Sequence, residues 1–306
     1  MKSKSIAVLF IGIFLFVICL SGCGTSASTV TTYYWPNWIP DGRIIALKKE
    51  MTFTKNMWGE GISDYKHYIV ALTIDSNNTV IKEENLFEVD QNLAGRGLAE
   101  ITCSPTGEMI GWVMSGHGFE NIKISNYRGD ILYTITAPSS VSMKYFDWSP
   151  DAAKIVYSAG NIYTGNLYIT NIDGANNVQI ATSAEAVAWR TGEKIVYVYS
   201  SGTDYFKIGT IASDGSSNEV FPIIGSDPQK TDSARVIYRG YGTQVESVKI
   251  DGNDKKVLFD NYDRTTLKLS FDNTKIVGGD LITGGGSKIG GIWVTNISDG
   301  ISTRIK

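Results

Sequence analysis

Short apolar strands recur at nearly regular intervals along this chain, and their recurrence limits its fold more than any other feature. Each copy begins with a basic residue or Met and continues with apolar residues, as in Lys154-Ile155-Val156-Tyr157. The copies begin at Arg43, Met109, Lys154, Lys194, Arg235 and Lys275, at intervals of 66, 45, 40, 41 and 40 residues. One blade of a β-propeller takes about 40 residues. The spacing therefore predicts an all-β chain, a six-bladed β-propeller of four-stranded antiparallel blades.

A polar corner follows each apolar strand and provides a second, independent marker of the same repeat. The corners are Asp75-Ser76, Arg128-Gly129, Asp173-Gly174, Asp214-Gly215, Asp251-Gly252 and Asp299-Gly300. Because such residues tolerate positive φ, we expect two-residue hairpin loops there. Turns such as Ser149-Pro150-Asp151 precede the apolar strands. Strand alternation then puts these turns and the corners at one end of the blades, and the loops between second and third strands at the other.

The best copy of the repeat resembles a known class of propeller. A Trp148-Ser149-Pro150-Asp151 turn, the KIVYS strand at 154–158 and the segment NLYITNIDG at 166–174 are similar to the repeats of TolB-like β-propellers. That class is related to WD repeats and is common in bacterial envelope proteins. The similarity is clearest over residues 145–223 and continues more weakly from about residue 33 to the end. It implies a six-bladed propeller whose function is to bind other proteins.

The beginning of the chain has the features of an export signal. Lys2 and Lys4 precede an apolar run of 15 residues, 6–20, which is shorter than the roughly 20 residues that span a bilayer. The run ends in Leu20-Ser21-Gly22-Cys23, which resembles the bacterial lipobox. This resemblance implies that residues 1–22 are removed, that Cys23 is lipidated, and that 23–32 form a flexible tether to a propeller of residues 33–306. The alternatives are an ordinary secretory signal with a chance cysteine, or an uncleaved anchor.

Each of these alternatives places the body of the protein outside the cytoplasm. With the lipid, the chain is expected on the cell membrane or the outer membrane, facing the periplasm or the cell surface. The net charge of −3 and the 19 % of charged residues give no basic stripe, so nucleic acid is not an expected partner. Cys103 is the only cysteine that would remain besides Cys23. It aligns with Trp148 in the repeat, which predicts a small buried residue rather than a reactive thiol.

The loops between second and third strands provide the predicted binding face. The first repeat is 21 residues longer than the second, and we assign the excess to a long loop at 48–67, since functional residues concentrate on such loops. Exposed aromatic residues at a rim are typical of protein or sugar recognition. Alternatively, these side chains pack onto their own blades. The predicted face consists of Met57, Trp58, Tyr65, His67, His117, Phe119, Tyr163, Tyr205 and Tyr241.

The sequence offers no strong catalytic or metal-binding motif. No G-x-S-x-G nucleophile motif occurs, and two lone histidines more often make ordinary hydrogen bonds than bind a metal. The oxygen-rich corners at Asp173 and Asp251 lack the spacing of calcium loops and are interpreted as turns. We therefore expect no metal and no cofactor.

The main functional hypothesis is a non-catalytic binding or scaffolding module for an envelope protein. The alternative is a glycan-binding protein, or a lyase or hydrolase acting on glycans at the channel mouth. Two ways of closing the ring of blades remain open at this point. Closure depends on side-chain packing between the last and first blades, or residues 26–32 add a strand to the last blade.

Overall fold

The structure is a computed structural model, and it describes a chain made of strands and turns. The described residues are 26–56, 59–89, 97–115, 121–138, 141–160, 165–189, 192–201, 204–231, 234–240, 242–264, 266–280 and 291–306. Within these ranges the chain forms 24 β-strands and no helix. The part of the chain that the structure describes accordingly has no helix of the length and apolarity needed to cross a bilayer.

The strands form six antiparallel sheets of four consecutive strands each, arranged as a six-bladed β-propeller. The first strands are β1 (Ser26–Trp38), β5 (Gly97–Cys103), β9 (Met143–Trp148), β13 (Ala184–Ala188), β17 (Ser226–Lys230) and β21 (Lys268–Leu269). The second strands are β2 (Ile44–Asn56), β6 (Ile110–Ser115), β10 (Lys154–Ala159), β14 (Lys194–Ser201), β18 (Arg235–Arg239) and β22 (Lys275–Gly279). The predicted fold is confirmed, and every predicted apolar strand is the second strand of its blade.

The remaining strands complete each blade towards its outer edge. The third strands are β3 (Gly59–Ile74), β7 (Asn121–Ser125), β11 (Asn166–Asn171), β15 (Asp204–Ala212), β19 (Val245–Lys249) and β23 (Ile292–Asn296). The fourth strands are β4 (Val80–Val89), β8 (Ile131–Thr136), β12 (Val178–Ala181), β16 (Glu219–Ile224), β20 (Lys256–Phe259) and β24 (Ser302–Arg304). First strands of consecutive blades contact one another, for example β9 with β13 and β13 with β17, so they surround the axis of the propeller.

The corners between third and fourth strands differ from the prediction in length. In the third blade, Gly174 donates to the carbonyl of Asn171 at 2.9 Å, and Asn171 donates to the carbonyl of Ala175 at 2.9 Å. Three residues therefore connect the paired positions, not two, with Gly174 at φ 85°. In the first blade the equivalent bond runs from Asn78 to Asp75, and Asn78 has φ 60°. The predicted corner Asp75-Ser76 is thus wrong in register by two residues.

The two kinds of turn share one end of the blade, as predicted. In the third blade the main-chain N–H of Ile172, in the corner, donates to the carbonyl of Ala153, in the turn before β10, at 3.0 Å. The fifth and sixth blades repeat this bond, from Ile250 to Ala234 and from Ile297 to Thr274, each at 2.9 Å. The bond ties the first hairpin of a blade to its second hairpin, which explains why both turns are short and uniform.

Three corner glycines, Gly129, Gly252 and Gly300, pack closely against the outer strand of the preceding blade. A Cβ atom added to Gly252 would lie 2.6 Å from Cδ1 of Phe221 in β16, and one added to Gly129 would lie 2.8 Å from Cβ of Phe87 in β4. Glycine is therefore required at these corners both by its positive φ and by the close approach of the neighbouring blade. The repeat marker that predicted the blades is also what lets them pack together.

Among the described strands none is exchanged between the first and last blades, and the ring closes through side chains. The first sheet is β1-β2-β3-β4 and the last is β21-β22-β23-β24. Buried side chains of both blades form one cluster, in which Trp38 and Leu72 pack with Val277 and Val294. Residues 26–32 belong to β1 of the first blade, so the proposal that they add a strand to the last blade was wrong, and packing is the mechanism of closure.

The chain divides into two compact units, and the smaller one differs from the prediction. The larger unit, Thr32–Lys48 with His67–Lys306, contains five complete sheets and part of the first sheet. The smaller unit comprises, in its described part, residues 26–31, 49–56 and 59–66. These residues continue β1, β2 and β3. The excess assigned to a loop at 48–67 is therefore mostly strand, and the expected flexible tether is a strand from Ser26 onwards.

Candidate functional site

The predicted binding face lies mostly beyond what the structure describes. The half-buried Tyr65 ring lies 5.5 Å from Nζ of Lys49 within the smaller unit. His67 is half-buried in β3, opposite Val89 of β4. Tyr205 lies in β15. Met57, Trp58, His117, Phe119, Tyr163 and Tyr241 lie outside the described residues, as does Cys23. The face and the lipidation site stay predictions.

Cys103 has the structural role that the repeat alignment predicted. Its side chain is buried in the cluster between the first and second blades. Its Sγ atom lies 3.0 Å from the hydroxyl oxygen of Tyr127. Burial is the main cause that raises the pKa of the Tyr127 phenol, and the neighbouring Cys103 raises it further. The hydroxyl therefore stays protonated at ordinary pH. The thiol is a packed core group.

The acidic corners serve the backbone. Oδ1 of Asp173 accepts a hydrogen bond from the N–H of Ala175 at 2.9 Å, and Oδ1 of Asp251 accepts one from Asn253 at 3.0 Å. Both are side-chain bonds to the residue two positions ahead, the usual role of Asp in turns. Interpreting these corners as turns is confirmed. Among the described residues, no group of three or more His, Cys, Asp or Glu side chains is placed to hold a metal ion.

Side chains at one equivalent position of all six blades surround a cavity on the axis. We call them the axial ring, and each lies three residues before Trp38, Cys103, Trp148, Trp189, Lys230 or Leu269. The axial ring consists of Trp35, Glu100, Tyr145, Ala186, Asp227 and Thr266. The cavity has a volume of about 130 Å³, and Gln229 and Lys268 also contribute to its wall.

The charged groups around the axial cavity are held in ion pairs. Nζ of Lys268 lies 2.6 Å from Oε1 of Glu100, and Nη2 of Arg239 lies 3.1 Å from Oδ2 of Asp227. Glu100 comes from the second blade and Lys268 from the sixth, so their pair spans the inner wall of the first blade. Lys268 and Asp227 keep side-chain exposures of 16 % and 19 %. Solvent therefore reaches part of both side chains.

Burial and mutual proximity shift the protonation of these groups. Burial raises the pKa of Glu100, although Lys268 opposes the shift, and burial likewise raises the pKa of Asp227 against the effect of Arg239. Burial alone would lower the pKa of Lys268, but Glu100, Asp147 and Asp227 together raise it. The ammonium of Lys268 is thus stabilised by three carboxylates.

The outer edge of the second blade is an exposed apolar strand. Strand β8, Ile131–Thr136, pairs with β7, and no other described strand pairs with it. Ile131, Leu132 and Tyr133 are 47 %, 46 % and 38 % exposed. The Gly174 corner of the third blade lies against Thr134 and Ile135, so the open part of this edge is its first half.

The other outer strands carry features that discourage pairing with a further strand. These features are four charged residues in β4, Pro222 in β16, Lys256 in β20, and lengths of four and three residues in β12 and β24. Charges, proline and shortness are the usual protection of a sheet edge. Strand β8 has six residues with neither charge nor proline, and sequence reasoning missed it because exposure of an outer strand depends on the packing of neighbouring blades.

Comparison with known proteins supports the fold. The propeller is similar to a putative TolB from Agrobacterium tumefaciens, with a TM-score of 0.57 and 13 % identity over 73 % of this chain and 83 % of that chain. It is also similar to an oligogalacturonate lyase in complex with manganese, with a TM-score of 0.52 and 12 % identity over 92 % and 85 %.

A chain of the nidogen/laminin complex gives a TM-score of 0.59 at 9 % identity, over 91 % of this chain and 93 % of that chain. No protein-family model matches the sequence, and no curated protein is similar to it in sequence. At these identities the likeness shows the propeller fold alone, because one fold carries many functions.

Proposed function

We propose that this protein is a lipid-anchored β-propeller of the bacterial cell envelope that binds another protein and catalyses no reaction. The observation that carries this proposal is the unprotected edge of β8. An edge strand offers main-chain N–H and C=O groups to an added strand, and exposed apolar side chains beside them favour association. Ile131, Leu132 and Tyr133 supply that apolar surface.

The chemistry of β8 also limits the partner. No residue of the strand is charged, so charges on a partner segment would gain no ion pair with it. The best partner for β8 is an uncharged extended strand rich in β-branched or aromatic residues. A folded domain that offers such an edge, or an extended segment of a protein, has this character. The partner that we propose is therefore an envelope protein with an apolar extended segment.

Anchoring follows from the Leu20-Ser21-Gly22-Cys23 sequence. Strand β1 begins at Ser26, three residues after Cys23. Because an extended residue spans at most about 3.6 Å, lipidation of Cys23 would hold the start of β1 within about 11 Å of the attachment point. Lipid chains in addition to one acyl group make membrane binding stable. A protein anchored this close to its first described strand is suited to partners in the same membrane.

The alternative role in glycan chemistry has less support. A glycosidase requires two carboxyl groups that can reach the sugar from either side of the bond. The channel acids Glu100 and Asp227 each have a cationic partner, and Oδ2 of Asp147 accepts a hydrogen bond from the N–H of Trp189 at 2.8 Å. Each of these carboxylates is engaged in a bond within a blade or between blades, which favours binding over catalysis.

The binding proposal is tested with the soluble chain starting at Gly24. The chain is purified with a photoreactive phenylalanine analogue in place of Tyr133 and exposed to envelope extract, and cross-linked proteins are identified. We expect a partner that is captured by the wild type and reduced at least tenfold by Leu132→Lys, because a lysine protects an edge. Val257→Lys is the matched control, since Val257 is exposed in β20, which already carries lysine.

Two outcomes contradict this assignment. One is capture of the same proteins by Leu132→Lys and wild type, and the other is the absence of any cross-link at position 133. Trp58→Ala in the same assay tests the predicted loop face, and loss of the partner only there would move the site from β8 to that face. The anchor is tested by Cys23→Ser, which we expect to leave the protein unprocessed or released; unchanged mobility and membrane retention would contradict lipidation.

A further inference from the structure

The backbone of the first strands is shaped to point the axial ring inwards. Trp35, Ala186 and Asp227 have φ values of 53°, 28° and 50°, a region that residues other than glycine rarely adopt. Ala186 lies at a register shift between β13 and β14, and Asp227 lies at one between β17 and β18. A further shift between β5 and β6 lies directly before Glu100. Bulges of this kind redirect side chains and are frequent at functional sites.

The order of the blades determines which ring members face one another. Trp35 in the first blade faces Ala186 in the fourth, so the largest side chain of the ring is opposite the smallest. Glu100 in the second blade faces Asp227 in the fifth. The cavity is therefore bordered by the aromatic residues Trp35 and Tyr145 and by two carboxylates from opposite sides, and Ala186 leaves space beside Trp35.

The carboxylates that act on this cavity outnumber the cations: Glu100, Asp147, Glu185 and Asp227 stand against Lys268 and Arg239. Asp227, Glu100 and Glu185 act on the hydroxyl of Tyr145, and Arg239 is the cation that opposes them. Lys268 is similarly surrounded by Glu100, Asp147 and Asp227. Aromatic faces attract cations as well. Both components of the wall thus favour a positively charged group over a neutral or negative one.

We propose that the axial cavity receives one positively charged group, the ammonium of a Lys or the guanidinium of an Arg side chain that a protein partner inserts along the channel. A volume of about 130 Å³ accommodates a group of roughly the size of benzene and is too small for a sugar chain. The proposal that the cation belongs to a partner's side chain rests on the proposed function, because it requires a protein partner. The preference of the cavity for a cation is independent of the proposed function.

The charge preference is tested with n-butylamine and its neutral counterpart butan-1-ol, titrated against the soluble chain by ligand-observed NMR. We expect the amine to bind at least tenfold more tightly than the alcohol. Glu100→Gln is expected to weaken amine binding at least tenfold. Trp35→Leu, which keeps every charge, is expected to weaken it several-fold. Asp173→Asn, at an exposed corner, is the control and should leave binding unchanged.

Thermal melting of each variant establishes that it is folded before it is titrated. If Glu100→Gln does not fold, Trp35→Leu still decides the question, since it changes the cavity wall without exposing an unpaired charge. Equal binding of amine and alcohol to the folded wild type, or no binding of either, would overturn the proposal.

Partner capture separates this proposal from the proposed function. If Glu100→Gln loses the amine but captures the partner as wild type does, the cavity does not receive the partner's side chain and the inference is wrong. If a partner is captured through β8 while no amine binds, the proposed function stands and the cavity proposal is lost. If the amine binds but no partner is captured, the proposed function fails and the cation's source cannot be a partner side chain.

Discussion

Nζ of Lys275 in the last blade donates a hydrogen bond to Oδ1 of Asn78 in the first blade, at 2.7 Å. Asn78 occupies the corner position that glycine occupies in the other five blades, and its φ of 60° is the same left-handed conformation. Nδ2 of Asn78 lies 3.5 Å from Oδ1 of Asn296. The corner of the first blade therefore uses a side chain to contact the last blade, and this contact helps to close the ring.

Replacing Asn78 by glycine separates conformation from closure. Glycine adopts this corner at least as readily as asparagine, so backbone preference alone predicts no loss. Because the substitution removes the bond from Lys275, a charged donor, we expect the free energy of unfolding to fall by about 1–2 kcal/mol. Thermal denaturation at neutral pH measures the change.

The matched control for this substitution is Asn176→Gly. Asn176 lies just after the corner of the third blade, has φ 55° and is exposed, so glycine should be close to neutral there. Equal effects at positions 78 and 176 would show that asparagine matters for the turn itself and that the bond to Lys275 contributes nothing to closure.

A second closure contact predicts a pH dependence. Glu83 accepts hydrogen bonds or ion pairs from Tyr33 at 2.9 Å, Lys48 at 3.1 Å and Lys306 at 2.6 Å. Partial burial pushes the pKa of Glu83 upwards, but these three donors bring it below its ordinary value of 4.5. Since the folded pKa is lowered, the stabilisation is present above about pH 4.5 and is lost as the pH falls through the folded pKa.

Glu83→Gln should therefore lower the melting temperature at pH 7 by a few degrees, corresponding to about 1–2 kcal/mol. The difference from wild type should shrink steadily below pH 4.5 and vanish once Glu83 is protonated. Glu84→Gln is the control, because exposed Glu84 pairs only with exposed Lys82 in the described contacts. A difference between Glu83→Gln and wild type that is the same at pH 3.5 and pH 7 would contradict the ionic role of Glu83.

The fold could be predicted from sequence because its turns are local. Gly174 has a φ of 85°, which glycine adopts most readily, so the residue type itself indicates the corner. The members of the axial ring share only their position in the repeat. Trp35, Glu100 and Ala186 occupy equivalent positions but have no chemical property in common. An alignment on the Trp148 position would have located them, yet nothing in their identity shows that a bulge turns them towards the axis.

The other differences between the sequence predictions and the structure concern features that depend on packing against neighbouring blades or strands. Asn78 replaces glycine because its corner contacts the last blade, which no local pattern reveals. Residues 49–56 and 59–66 continue strands, although Gly59 and Gly61 are typical of a loop. The exposure of Leu132 depends on where the Gly174 corner of the next blade lies, so β8 could be predicted as a strand but not as an open edge.

Two equivalent tryptophans differ in one hydrogen bond and so allow its contribution to be measured. Nε1 of Trp148 donates to Oγ1 of Thr102 at 2.6 Å, joining the third blade to the second, and both side chains are buried. Trp189 is equally buried at the same position of the fourth blade, but its Nε1 has no partner among the described residues. Replacement by phenylalanine removes the same atoms from both sites, while only Trp148→Phe removes a bond.

We expect Trp148→Phe to cost about 1–2 kcal/mol more than Trp189→Phe, measured as unfolding free energies under the same conditions. Because Trp189→Phe also removes an unpaired buried N–H group, its loss of unfolding free energy should be smaller still. Thr102→Val, alone and combined with Trp148→Phe, isolates the pair in a double-mutant cycle, where the coupling should account for most of that difference. A coupling near zero, or a larger loss from Trp189→Phe, would mean that indole packing and not this bond joins the second and third blades.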